Sequence, residues 1–141
     1  MINSGLDLNK STLSVFEGLS MYFEKEHFLK IISVILTKTK TKTKTKTKTK
    51  TKTKTKTKTN CRIWMDHVTT NIFDSEDESV KAFLDNISRL GESFITGYDE
   101  IVSDLKDIKF DEHTTTAREI LQSDKVLHDL YKFTTLSTSR A

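Results

Sequence analysis

From position 37 to 59 the chain reads TKTKTKTKTKTKTKTKTKTKTKT, eleven Thr-Lys pairs closed by Thr59. A helix through this tract would set lysines at every i,i+4 position, where like charges repel, and thread them with threonine, a weak helix former. A strand would put every lysine on one face, so pairing would stack ammonium on ammonium. The expectation is a solvated coil with an r.m.s. span of about 27 Å, at roughly 5–6 Å × √n. Such a tract supplies no core, so the fold must come from flanks of 36 and 82 residues. The domain reading is therefore an amphipathic helical segment over 1–36, a disordered low-complexity repeat over 37–59, and an acidic helical region over 60–141.

Charge divides along the same lines. The chain carries 23 Lys and Arg against 20 Asp and Glu, a net +3. Eleven of the basic residues belong to the tract, so the remainder holds 12 against 20, a balance of −8. A basic total usually points to nucleic acid or an anionic surface, and here only the tract can act on that. Proline is absent and glycine occurs four times, which favours helices over a loop-rich β architecture. The single cysteine, Cys61, excludes a disulfide scaffold. The longest apolar run, FLKIISVIL from Phe28 to Leu36, is too short for a membrane span. These features read as a soluble intracellular chain.

Periodicity predicts an all-α protein, a small helical bundle or coiled-coil-like hairpin interrupted by the repeat. Ser14 and Glu17 have the spacing of a capping box, and Val15, Phe16, Leu19, Tyr22 and Phe23 line one face, continued by Phe28, Ile31, Ile32 and Ile35. That helix is expected to end near residue 32. The segment CRIWMDHVTTNIF sets Trp64, Val68 and Ile72 four apart, which suits a short helix. Asp74 or Ser75 then caps a helix whose apolar positions Val80, Phe83, Ile87, Leu90 and Phe94 step by three and four. Tyr98, Ile101, Leu105 and Ile108 extend the series after a stutter, either as one helix over 75–109 or as two with a bend near Gly91 and Gly97. Thr116 and Glu119 form a second capping box, opening a last helix lined by Ala117, Ile120, Leu121, Leu127, Leu130 and Tyr131, after which TTLSTSRA frays.

No catalytic motif emerges. No glycine-rich phosphate loop is present, and His27, His67, His113 and His128 are scattered without a second ligand at metal spacing. Asp66–His67 and Asp111–His113 read as solvated turn residues, and Cys61 as a plain surface cysteine. The chain is expected to be non-enzymatic, without metal or cofactor. Its principal reading is a protein-interaction module in which Val80, Phe83, Ile87, Leu90 and Phe94 meet a partner helix or a second copy. The alternative is polyanion binding through Lys38, Lys40, Lys42, Lys44, Lys46, Lys48, Lys50, Lys52, Lys54, Lys56 and Lys58, salt-dependent and blind to sequence. The tract holds no aromatic for base stacking, so a single-strand platform is missing from it. A third reading starts from the six-base gene repeat that a perfect dipeptide period requires. In it the tract is retained intron without selected function, and the spliced chain joins HFLKIIS to RIWMDHV as one helical domain. Ser75, followed by Glu76, Asp77 and Glu78, has the pattern of an acidophilic kinase site.

Overall fold

Leu13 and Val15 point one way and Ser14 and Phe16 the other, and this alternation makes Thr12–Phe16 a strand, β1, where helical spacing had predicted the start of a helix. The computed structural model describes residues 10–38, 60–105 and 108–138. Gly18, at φ +61°, turns the chain after β1. A 3-10 turn at Ser20–Tyr22 follows, then helix α1 at Lys25–Lys38. α1 runs past the expected end near residue 32. Phe28, Ile32 and Leu36, four apart and all fully buried, hold its β-branched C-terminal half in helical form.

The segment expected as a short helix is strand β2, Cys61–Val68, followed by a 3-10 turn at Thr70–Ile72. The spacing of Trp64, Val68 and Ile72 is therefore coincidental. The alternation that matters is Cys61, Ile63, Met65 and His67, all buried. Helix α2 spans Glu78–Arg89. Asp77 caps it by accepting from the backbone N–H of Ser79 and Val80, two to three residues beyond the expected cap. α2 stops there, with Gly91 at φ +92°. A short helix α3, Ile101–Asp104, and strand β3, Phe110–Thr116, replace the rest of the expected coiled coil. The capping box of Thr116 and Glu119 forms as the sequence implies, but its helix α4 covers only Ala117–Leu121. Helix α5, Val126–Leu130, leads into strand β4, Tyr131–Thr138, where fraying had been expected.

The four strands form one mixed sheet in the order β1-β2-β4-β3. β1 and β2 are parallel, whereas β4 is antiparallel to both β2 and β3. An all-α or coiled-coil architecture is thus overturned. So is the helix expected over RIWMDHV, which lies in strand β2. One face of the sheet packs against α1 and the 98–105 segment. Its core holds Phe28, Ile32, Leu36, Ile63, Met65, Tyr98, Ile101 and Leu136. A second cluster of Met21, Val68, Ile72 and Val80, flanked by Phe83, Phe94, Leu127 and Leu130, closes one end of the molecule.

The Thr-Lys repeat falls in the connection between α1 and β2. Lys38 is the last residue of α1, while Lys40 to Lys58, and the expectation of a coil there, lie outside the described residues.

Candidate nucleic-acid interface: the open face of the sheet

Strand pairing sorts the side chains into two faces. Thr12, Ser14 and Phe16 pair with Cys61, Ile63 and Met65 on the face that α1 covers. The opposite face carries Leu13 beside Arg62, then Val15 beside Trp64, then Asp66 beside Phe133 and Val68 beside Tyr131. Thr135 and His113 extend the Trp64 row, and Ser137 and Asp111 extend the Arg62 row.

This face is closed at one end and open at the other. Val68 and Tyr131 lie under the second core cluster with Leu127 and Leu130. Toward the start of β2, Leu13 is 62% exposed and Val15 54% exposed, and Arg62, Asp111 and His113 are exposed as well. Trp64 and Phe133 are half-buried and stack on each other, with ring centroids 5.8 Å apart and planes within 24°. Tyr131 continues the column, tilted at 54° and 5.7 Å from Phe133. Aromatic and aliphatic side chains facing water on a sheet are the composition expected of a binding surface.

A polar brace anchors the column. Tyr131 Oη donates to Asp66 Oδ2 at 2.6 Å, and the Gly18 N–H donates to Asp66 Oδ1 at 2.8 Å. The Asp66 carbonyl in turn accepts from Ser20 Oγ at 2.6 Å. Burial first, and then the bond to the Asp66 carboxylate, raise the Tyr131 pKa well above that of an ordinary phenol. Tyr131 thus remains a neutral donor, and the left-handed turn at Gly18 is tied to the sheet.

Asp66 and His67 are neighbours on β2 and so face opposite ways. Neither is a solvated turn residue. His67 is 1% exposed, its Nε2 lies 2.8 Å from Thr134 Oγ1, and its ring meets Tyr98 edge-on at 6.0 Å. Burial brings its pKa down to about 4, so the ring is a neutral core group at ordinary pH. Cys61 is likewise buried, contrary to the expected surface position. Asp111–His113 lies within β3 rather than in a turn. No group of three or more His, Cys, Asp or Glu that could hold a metal occurs among the described residues. Nor is any helix among them long and apolar enough to cross a membrane.

The expected partner seam is divided. Val80 is buried in the second cluster, and Phe83 and Phe94 are half-buried there, meeting edge-on at 5.8 Å. Ile87 is half-buried, and Leu90, just beyond α2, is 82% exposed. Ser75 is half-buried before the cap of α2, where its Oγ accepts from the Asp77 N–H at 3.3 Å. Sequence reasoning missed the Trp64–Phe133 pair. Only the pairing of β2 with β4 brings these two rings together. Comparison of the chain with protein families, with characterised proteins and with solved structures finds no match to any of them.

Proposed function

We propose that the protein is a non-enzymatic polyanion-binding protein that presents its Thr-Lys tract from a folded α/β anchor. The observation that carries this reading is where the tract enters the fold. It follows α1 and precedes β2, and the residues bracketing it, Leu36 and Cys61, are both fully buried in the same core cluster. The backbone carbonyl of Asn60, the first residue after the tract, accepts from the Thr12 N–H at 3.0 Å. Eleven lysines are thereby held between two fixed ends, and each that pairs with a phosphate releases condensed counterion.

The helical-seam reading has less to support it, because Val80, Phe83 and Phe94 are engaged within the protein's own second cluster. The test is binding of inorganic polyphosphate across a salt series. The log of the binding constant should fall linearly with log salt, with a slope of up to about −8 for a single-stranded polyanion engaging all the lysines. Replacing 39–59 with a short Gly-Ser linker should abolish the binding. Salt-independent binding, or binding retained without the tract, overturns the proposal.

A further inference from the structure

We propose that the open sheet face binds single-stranded nucleic acid, with bases stacked on Trp64 and Phe133 and the phosphate backbone passing Arg62. This rests on the polyanion reading and narrows it to polyanions that carry stackable bases.

Three observations support it. The first is the aromatic column itself, anchored through Tyr131 to Asp66 and open to solvent beside Leu13 and Val15. Every base presents a π-face, so such a platform accepts any sequence. The second is charge polarity across the face. Arg62 is exposed on the row where β2 begins, three residues after Thr59 closes the lysine tract. Three acidic groups share the face: Glu17, exposed, and Asp66, buried, lie toward the closed end, and Asp111, exposed, lies on β3 at the far end of the Arg62 row. Phosphates are therefore attracted to the β1–β2 side of the Arg62 row and repelled from the other two sides, which leaves the bases over Val15, Trp64 and Phe133. The third is hydroxyl chemistry beside the rings. Thr135 pairs with Trp64, and Ser137 pairs with Arg62, so both offer donors and acceptors to base edges or sugars. A duplex keeps its bases stacked inside and cannot use the platform.

Trp64 is the only tryptophan in the chain, so its emission reports on this face alone. The full-length protein is titrated with a twelve-nucleotide oligothymidylate, with a duplex, and with inorganic polyphosphate at equal phosphate concentration. Oligothymidylate should quench Trp64, whereas duplex and polyphosphate should bind without quenching. By anisotropy of a labelled oligonucleotide, Trp64→Ala should weaken binding about 5- to 150-fold, the cost of losing one stacked base, with polyphosphate affinity unchanged. Phe133→Leu keeps the fluorophore and an apolar β residue, and should reduce both quenching and affinity in a protein of unchanged circular dichroism. If polyphosphate binds with the expected salt slope and oligothymidylate does not quench, the stacking proposal is overturned and the polyanion reading stands. If neither ligand binds, both fall. Sedimentation as a dimer with Trp64 emission insensitive to oligonucleotide would give the face to a second copy and also overturn the proposal.

Discussion

Leu36 and Cys61 stand on either side of the entire Thr-Lys repeat, yet both are fully buried in one core cluster with Ile63 and Leu136. The repeat therefore interrupts a single β1–α1–β2 crossover, a connection that usually spends only a few residues between helix and strand. Closing a longer loop costs about 0.6 kcal/mol per doubling of its length. Replacing 39–59 with a four-residue Gly-Ser linker should thus stabilise the fold by about 1–2 kcal/mol, read as a higher urea midpoint. Excision of 34–61, as the retained-intron reading requires, should have the opposite effect. It removes Leu36 and Cys61 and ends α1 early, and loss of one buried Leu side chain alone typically costs about 2–5 kcal/mol. A shortened-linker variant less stable than the parent would contradict the crossover.

The brace between Tyr131 and Asp66 should be measurable as a coupling. Tyr131→Phe removes a hydrogen bond to a buried carboxylate while keeping the ring in the column. A loss of about 1.5–3 kcal/mol is expected, the range for bonds to charged groups. Asp66→Asn keeps a carbonyl acceptor for the Gly18 N–H and turns its amide toward Tyr131 Oη, which then accepts instead of donating, and should cost less. A double-mutant cycle by urea unfolding should give a coupling of about 0.5–3 kcal/mol between the two sites. Additive effects would show that the 2.6 Å contact contributes nothing.

The helical positions Phe28 and Ile32 were legible in the sequence, though not Leu36 beyond the expected helix end, and so was the capping box of Thr116 and Glu119. Both are local signals, read over three to eight residues. The strands were not legible, for a physical reason. β2 buries Asp66 and His67 alongside its apolar residues, on both faces, so polarity does not mark a solvent side, strand alternation is blurred and a spacing of four arises by chance. β4 reads YKFTTLST, a sequence rich in β-branched and aromatic residues but also in the hydroxyls of a frayed end. Its pairing with β2 decides the matter, and that pairing joins residues up to 75 positions apart. The aromatic platform inherits this opacity, since Trp64 and Phe133 meet only across that ladder. Phe94 illustrates the converse. It fits the heptad series of α2, yet the turn at Gly91 folds it back onto Phe83, within one cluster rather than along a seam.

His67 makes stability pH-dependent in a defined direction. Its folded pKa of about 4 lies below the value near 6.5 of an exposed histidine, because burial disfavours the charged ring. Between these values the unfolded chain binds the extra proton, so stability rises with pH in that interval and is lost as pH falls through it. The full contribution, about 3 kcal/mol at 1.36 kcal/mol per unit, is present above pH 6.5 and gone below pH 4. Urea midpoints at pH 7 and pH 5 should differ accordingly. His67→Gln, which can still bond Thr134, should flatten the difference, and an unchanged slope in that variant would place the titrating group elsewhere.

Gly97 should tolerate no side chain. A Cβ built there would come within 2.6 Å of the Thr69 carbonyl carbon and the Thr70 nitrogen, both backbone atoms that cannot rotate away. The contact is close because 97–99 docks across the end of β2. The Tyr98 N–H donates to the Val68 carbonyl at 2.7 Å, and the Asp99 carboxylate accepts from the Thr70 N–H and hydroxyl. Those bonds from Thr70 hold the Asp99 carboxyl below its usual pKa range. Gly97→Ala must pry this docking apart, and Tyr98, fully buried against Phe28, moves with it. Overpacking of this kind costs about 1–3 kcal/mol or more. Gly18→Ala, by contrast, meets no atom within 4 Å, so its cost is confined to the left-handed backbone, about 1–2 kcal/mol. Equilibrium unfolding should therefore rank Gly97→Ala as the more damaging of the two, with loss of near-ultraviolet dichroism from Tyr98. The reverse order would mean that the 97–99 segment does not dock against Thr69 and Thr70.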